Sequence, residues 1–237
     1  MPVDVFTLDL TLESYTAVFE YEGGMIWRAY GNSLFIAFVS TVGTLFTSSL
    51  AAFAFAKMKF KGDSFFYGLF IATLMIPGQV TMLPLFVVFT QLSWLDSFLP
   101  LIVPGVMINT YGVFMMRSFI VSIPNEILDA AEIDGSGYFG KYVHIVLPLL
   151  KASLITLGLF TFIGSWNNYF GQLIYLTSEE LTTIPLLIAG LKETHMTGVE
   201  WGRVMAASTL SIVPIAIIYL WGQKYFVQGI ATTGMKS

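Results

Sequence analysis

The sequence predicts an all-α protein, a polytopic bundle of five transmembrane helices. Hydrophobic residues make up 56% of the chain and charged residues only 11%, whereas soluble domains carry roughly 25% charged residues. Five apolar stretches are each long enough for a span of about 20 residues. One polar stretch, 122–151, lies between the third and the fourth of them. Lipid is therefore the expected environment for most of the chain.

The first 31 residues do not have the pattern of a secretory signal peptide. Signal peptides begin with a positively charged region, but this segment opens with Asp4 and Asp9, and its first basic residue is Arg28. We predict that residues 1–31 form an extracytoplasmic N-terminal segment. Within it, TLESYTAVFE has the pattern of a short amphipathic helix with an acidic face.

The first two predicted spans differ in composition. The first, 32–56, is rich in small residues, which let helices approach closely in lipid, so we expect it to pack inside the bundle. The second, 65–92, contains Pro77, Gly78 and Pro84. A proline inside a span leaves a carbonyl without its hydrogen bond and kinks the helix. The kink is either purely structural or bends the helix around a translocation pathway.

The third, fourth and fifth spans are predicted at 101–120, 146–176 and 204–226. The fourth contains the polar patch GSWNNYFGQ. Its amides either bond to neighbouring helices or line a pathway, because polar residues in membranes often mark pathways and because amides and aromatic rings suit sugars. The candidate pathway residues are Trp166, Asn167, Asn168 and Gln172.

The distribution of basic residues predicts the orientation. If the polar stretch is cytoplasmic, eight of the eleven Lys and Arg residues lie inside, and only Arg28, Lys192 and Arg203 lie outside. Such an excess is typical of cytoplasmic loops. It predicts a cytoplasmic C-terminus and, with five spans, an outer N-terminus. Because an acidic outer N-terminus without a signal is hard to insert, we expect a further span before residue 1.

Glycines in the polar stretch match nucleotide-binding patterns, but their context argues against such a site. Gly135, Gly137 and Gly140 fit G-x-G-x-x-G, and Lys141 extends this to G-x-x-x-x-G-K. Tyr142, however, stands where a magnesium-binding Ser or Thr is required. Both motifs also follow a buried strand, whereas the preceding ILDAAEID has helical spacing.

No other feature of the sequence indicates catalysis or cofactor binding. The chain contains no cysteine, which excludes a thiolate nucleophile and a thiolate metal site. No catalytic triad, carboxylate pair or metal-ligand cluster is evident in the spans. We therefore expect a non-enzyme without a metal or cofactor of its own and without a nucleic-acid partner.

Two short helices joined at a glycine are the better prediction for the polar stretch. Pro124 suits the first turn of a helix, and Gly135 suits its left-handed end. Ser136 is then expected to cap the second helix, and Pro148 to mark the junction with the fourth span. The first helix carries alanines beside acidic residues, a pattern that suits docking into a groove on another protein. A solvated loop is the alternative.

The same stretch resembles the EAA loop of permease subunits of binding-protein-dependent ABC importers. That pattern is E-A-A, three residues, Gly, nine residues, then I-x-L-P. The matching residues are Asp129, Ala130, Ala131, Gly135, Ile145, Leu147 and Pro148. The chain departs from the pattern at Asp129, which keeps the charge of Glu but shortens its reach.

The resemblance covers nearly the whole chain. The segments look like those of sugar permeases of the maltose-transporter type, in which six helices are usual and the first would precede residue 1. The segments that carry it are NSLFIAFVSTVGTLFTSSLAAFAFAKMKFKG, MIPGQVTMLPLF, FMMRSFIVSIPNEILDAAEIDG, FTFIGSWNNYF and YFVQGIATTGMKS.

This resemblance implies a transmembrane domain over 32–237, with a cytoplasmic coupling loop at about 122–148. The implied ATPase-coupling residues are Asp129, Ala130, Ala131, Asp134, Gly135, Ile145, Leu147 and Pro148. The implied partners are a second permease subunit, an ABC ATPase dimer that binds ATP and magnesium, an extracytoplasmic solute-binding protein and membrane lipid. The outer loop 192–203 is a candidate docking surface for the solute-binding protein.

The expected function is therefore ATP-driven import of a sugar or oligosaccharide across the cytoplasmic membrane. Another solute, such as glycerol phosphate or a polyol, is an alternative cargo. A secondary transporter is a further alternative, but such carriers place ionisable residues within their spans. The spans of this chain are nearly free of ionisable residues except at their ends.

Overall fold

The computed structural model describes residues 11–193 and 201–234, and all regular structure in these ranges is helical. The all-α prediction is confirmed. The helices of the first half are α1 (Glu13–Glu20), α2 (Met25–Lys57), α3 (Asp63–Ala72), α4 (Gly78–Gln91), α5 (Leu99–Met107) and α6 (Thr110–Val121). Those of the second half are α7 (Asn125–Ile133), α8 (Tyr138–Lys141), α9 (Leu147–Leu149), α10 (Lys151–Trp166), α11 (Tyr169–Tyr175), α12 (Ile184–Glu193) and α13 (Trp201–Gly234).

Three helical stretches of the described chain are long and apolar enough to cross a membrane. They are Met25–Lys57, Leu99–Val121 and Trp201–Gln223. Two strongly bent helix pairs raise the number to five if each pair counts as one span. The predicted five spans agree with this upper number, and two of them are broken rather than continuous.

α2 is the central helix of the bundle and packs against α5, α6 and α10. Its 33 residues correspond to about 50 Å at 1.5 Å per residue. Small residues dominate its buried face, among them Ala29, Ser33, Ala37 and Ser48. The expected close packing of the first span is therefore confirmed, although the helix begins at Met25, earlier than the predicted residue 32.

α1 confirms the short helix that we predicted before the first span. Its apolar side is buried at Val18 and packs against α13 and α2. Gly24 separates it from α2 with a left-handed backbone, φ +88°. Glycine adopts this conformation at little steric cost because it lacks a Cβ atom.

We predicted that the second span is one kinked helix, and this prediction is wrong. α3 and α4 meet at an angle of 100°. Ile76 and Pro77 between them have extended backbones, because a proline disfavours the helical region for the residue before it. By contrast, Pro84 lies inside α4 and Pro214 inside α13, and both helices continue.

The fourth predicted span, 146–176, is not a single helix. The helical stretch Tyr138–Leu149 meets α10 at 78°. α10 then ends at Trp166, and α11 begins at Tyr169. Asn168 stands between them and caps α11, because its side-chain oxygen accepts a hydrogen bond from the amide of Gly171 at 3.1 Å. The polar patch therefore forms a helix break.

Candidate functional site

The predicted coupling loop folds as a helix, a glycine turn and a second helix. α7 begins directly after Pro124 and ends before Gly135, which has φ +82°. The amide of Gly135 donates to the carbonyl of Glu132 at 2.9 Å, and that of Ser136 donates to the carbonyl of Ala131 at 2.8 Å. These bonds satisfy carbonyls at the helix end in a turn that favours glycine.

The second helix of the loop begins one residue later than we predicted. Gly137, not Ser136, precedes α8, and no side chain caps it. The Ser136 hydroxyl instead fills the space beside Gly140, where an added Cβ would lie 2.5 Å from its oxygen. A turn of π-helix, Tyr142–Val146, then leads into α9.

The tip of this loop is an exposed surface of mixed apolar and acidic character. Ile133 is 87% exposed and Phe139 is 69% exposed, which is unusual for large apolar side chains outside lipid. The exposed apolar tip is completed by Ile127, Ala130 and Tyr138. Leu128, on the opposite side of α7, is buried and anchors the helix to the protein.

The eight candidate coupling residues separate into two groups. Asp129, Ala130, Asp134 and Gly135 are exposed at the tip, and Ala131 is partly buried there. The remaining three lie at the base of the loop, beside the 78° bend into α10. Of these, Ile145 and Leu147 are partly buried and Pro148 is exposed.

An ion pair joins the two helices of the loop. Lys141 Nζ lies 2.5 Å from Glu132 Oε2, and the Lys141 side chain is only 7% exposed. The hydrogen bond and the charge of Lys141 lower the pKa of the Glu132 carboxyl. The pair links α7 to α8, because a largely buried ammonium group favours a partner of opposite charge.

Two side chains tie the loop to α2, and the sequence did not single them out for this role. Lys57 Nζ, at the end of α2, donates to the Ile123 carbonyl at 2.6 Å and to Asn125 Oδ1 at 2.8 Å. Tyr142 is buried, and its hydroxyl bonds to Ser49 at 2.8 Å. Both ends of the loop are therefore attached to the central helix of the bundle.

The four candidate pathway residues are not on one surface. Trp166 is buried and stacks on Phe162 with 5.9 Å between ring centroids. Gln172 is also buried: its Oε1 accepts from the Thr183 hydroxyl at 2.6 Å, and its Nε2 donates to the Ser165 carbonyl at 3.3 Å. These contacts favour the helix-packing interpretation for Gln172.

Asn167 and Asn168 are exposed and line different cavities. Asn167 lies in a cavity of about 430 Å³, together with Trp166, Tyr169 and Lys192. Asn168 lies in another, of about 290 Å³, between α2, α10 and the break of α5 from α6. The two neighbouring amides therefore face separate spaces.

A carboxylate organises the loops at the opposite end of the bundle from the coupling loop. Asp96 accepts hydrogen bonds from the amides of Thr177 and Ser178 at 2.9 and 2.8 Å, and from the Ser178 hydroxyl. These bonds, led by that of the Ser178 side chain, lower the pKa of Asp96 to about 2. The Asp96 carboxylate is therefore ionised at neutral pH.

The docking loop predicted at 192–203 lies mostly outside the described residues, at 194–200.

Comparison with known proteins identifies the family. Residues 29–232 match the family of the binding-protein-dependent transport system inner membrane component. The chain belongs to this family. It is therefore a multi-pass inner-membrane permease of an ABC importer and not an enzyme, and ATP hydrolysis is carried out by a separate subunit. The predicted family, fold class and class of function are confirmed.

Two curated relatives show the range of solutes that similar permeases carry. The permease is 35% identical to the arabinooligosaccharides transport system permease protein AraQ of Halalkalibacterium halodurans, over 96% of this chain and 80% of the relative. It is 36% identical to the sn-glycerol-3-phosphate transport system permease protein UgpE of Shigella flexneri, over 86% of this chain and 72% of the relative. The relatives are thus named for both neutral and anionic cargo.

A solved structure shares the fold of the permease. It is the crystal structure of a bacterial ABC transporter involved in the import of the acidic polysaccharide alginate. The TM-score is 0.79 at 26% identity, and the match covers 95% of this chain and 83% of that chain. The broken helices of the permease therefore occur within the architecture of an ABC importer.

Proposed function

We propose that the permease imports a carbohydrate and receives the force of ATP hydrolysis through α7. The observation that supports the coupling role is the exposed apolar tip of the loop. An ion pair joins the two helices of this loop, and hydrogen bonds attach it to α2. A surface of this kind suits a groove on another protein, because burying Ile133 and Phe139 is favourable at roughly 25 cal/mol per Å². The partner is the ABC ATPase dimer, which binds ATP and magnesium.

The working complex contains a second permease subunit, the ATPase dimer and an extracytoplasmic solute-binding protein. The family name supports dependence on a binding protein. The carbohydrate cargo is supported by the similarity to the arabinooligosaccharide permease and by the amide-rich break at Asn168. Glycerol phosphate is the second candidate cargo, which the similarity to the glycerol-3-phosphate permease favours.

The proposed orientation puts the coupling loop and the C-terminus in the cytoplasm, although residues 235–237 lie outside the described range. Because the chain has no cysteine, single reporters are available at exposed Ser122 and Glu180. Ser122→Cys is expected to react with a membrane-impermeant maleimide only in inverted vesicles, and Glu180→Cys only in intact cells. The reverse labelling pattern would contradict the orientation.

Uptake by the reconstituted importer tests the proposed cargo. Proteoliposomes that contain both permeases and the ATPase, with the solute-binding protein outside, are expected to accumulate arabinotriose when ATP is enclosed. Omitting ATP or the binding protein provides the controls, and each is expected to abolish uptake. ATP-driven accumulation of sn-glycerol 3-phosphate but of no carbohydrate would overturn the carbohydrate assignment.

A further inference from the structure

α4 is buried only near its outer end, opposite the coupling loop. It is the half of the second span that follows the 100° break at Pro77. Of its 14 residues, only Phe89 is buried. The ring of Phe89 stacks on Trp94 with 5.7 Å between centroids and meets the ring of Tyr175 edge to face at 5.3 Å. Because Tyr175 is the last residue of α11, this aromatic cluster attaches α4 to the second half of the chain.

Asp96, in the turn between α4 and α5, adds polar contacts beside the aromatic cluster. Its amide donates to the carbonyl of Tyr175 at 2.9 Å. Its carboxylate accepts the three hydrogen bonds from Thr177 and Ser178. The main chain of Asp96 thus binds the end of α11, and its side chain binds the segment 176–183, which connects α11 to α12. We name this set of contacts the Asp96 brace.

The backbone of the turn is unfavourable by itself. Asp96 has φ +55° and Ser93 has φ +56°, in the left-handed region that residues with a side chain seldom adopt. Such conformations persist where the surrounding structure determines them, and here the hydrogen bonds to the segment 176–183 do so. Glycine adopts the same conformation without steric cost. Asp96→Gly therefore removes the carboxylate without straining the backbone.

The segment 176–183 is also bound to the central helix. Asn32 Nδ2 donates to the carbonyls of Glu180 and Thr182 at 2.9 and 2.8 Å. Ser33 Oγ accepts from the first amide of α12 at 2.9 Å. The segment therefore lies between the Asp96 brace on one side and α2 on the other. α2 continues as one helix to its other end, where it holds the start of the coupling loop.

We propose that Asp96 is a positioning residue for transport, which makes the outer end of α4 follow the central helix α2. The inference rests on the proposed function, in which α2 moves with α7. The extended backbone at Ile76 and Pro77 separates α4 from α3, so the inner end of α4 does not fix its direction. With the brace intact, α4 moves as one body with α11 and the segment 176–183. Without it, α2 still responds to α7, but the outer half of the second span no longer follows.

The test uses the complete importer in proteoliposomes and measures the arabinotriose imported per ATP hydrolysed. Asp96→Gly removes the carboxylate, whereas Asp96→Asn keeps an oxygen that can accept from both backbone amides. Glu179→Gln is the matched control, because it removes an exposed carboxylate from the same segment. Co-purification with the ATPase verifies that each variant has assembled.

Asp96→Gly is expected to lower import per ATP by about fivefold, since one net hydrogen bond corresponds to roughly threefold to tenfold. Asp96→Asn is expected to lower it by less than about twofold, and Glu179→Gln is expected to leave it unchanged. A purely structural role would reduce the amount of assembled importer and not the ratio. A wild-type ratio in Asp96→Gly would overturn the role of the carboxylate.

A covalent bond in place of the brace shows whether the brace stays closed during transport. The permease has no cysteine, so Asp96→Cys with Ser178→Cys places one thiol pair at two side chains that are in contact. When the pair is joined by oxidation or by a short bis-methanethiosulfonate, import is expected at the wild-type ratio, and reduction is expected to lower it. Arrest of import by the bridge, relieved by reduction, would overturn the proposal. The bridged pair decides the question even where Asp96→Gly fails to assemble.

A distance measurement tests the brace without cargo. Gln91→Cys at the outer end of α4 and Glu20→Cys on α1, which packs against α2, are exposed sites for spin labels. The distance between the labels is expected to have one narrow distribution, which Asp96→Gly broadens. An equally narrow distribution in Asp96→Gly would contradict the brace. Absence of both ATP hydrolysis and uptake in the wild type would instead be a failure of the proposed function, and it leaves the distance result standing.

Discussion

Replacing Ala130 with Glu is expected to uncouple ATP hydrolysis from transport. Ala130 is exposed on α7, next to Asp129 and one turn from Ile133. In the proposed complex, the new carboxylate would be buried against the ATPase without a partner of opposite charge. An uncompensated buried charge costs roughly 3–5 kcal/mol, so we expect docking to weaken by at least about a hundredfold.

The fold of the permease itself is expected to survive this change. Glu is a good helix former, within a few tenths of a kcal/mol of Ala at an exposed position, and Ala130 is exposed. Ser122→Glu is the matched control, because Ser122 is also exposed but precedes α7. Its ATPase association is expected to remain close to that of the wild type.

The measurements are co-purification with the ATPase and the ratio of ATP hydrolysed to substrate imported. Ala130→Glu is expected either to elute without the ATPase or to hydrolyse ATP without import. A stably expressed Ala130→Glu permease that transports with the normal ratio would remove α7 from the coupling role.

Local signals in the sequence predicted the elements of the loop. α7 begins after Pro124 and ends before Gly135, as predicted. Both signals are local, because the backbone preferences of proline and glycine act within one or two residues. The prediction that Ser136 would cap α8 failed, because its hydroxyl was drawn instead into the space beside Gly140. α8 therefore begins after Gly137 without a side-chain cap.

The helix breaks were harder to predict, because several prolines give the same local signal. Pro77 lies between two helices, whereas Pro84 and Pro214 lie inside helices that continue. The bundle around each proline determines whether the lost hydrogen bond kinks or ends the helix. The breaks at Asn109 and Asn168 do carry a local signal, the Asn-x-x-Gly spacing of a capped helix start.

Contacts between distant parts of the chain had no signal in a single sequence. Lys57 and Ile123 are 66 positions apart, and nothing local to either residue indicates the pair. Lysines at the end of a span usually meet lipid headgroups. Only the folded bundle shows that this lysine holds the start of α7.

The hydrogen bonds of Lys57 connect the start of α7 to the end of α2. In the proposed mechanism, movement of α7 must reach the spans, and the bend beside Pro148 provides one route, into α10. The ammonium group of Lys57 provides another, because it holds both the Ile123 carbonyl and the Asn125 side chain against the end of α2. Movement of α7 would then be transmitted to the central helix as well as to α10.

Lys57→Met is therefore expected to lower import per ATP by about tenfold, because hydrogen bonds from a charged donor are worth about 1.5–3 kcal/mol. Met preserves the length and apolar stem of Lys but cannot donate. Lys59→Met is the matched control, since Lys59 is exposed two residues further on, and it is expected to leave the ratio unchanged. Lys57→Arg, which can still donate to both acceptors, is expected to recover part of the loss.

If Lys57→Met binds the ATPase and imports with the wild-type ratio, α10 alone carries the movement. If it instead fails to bind the ATPase, the lysine positions α7 for docking and does not transmit its movement.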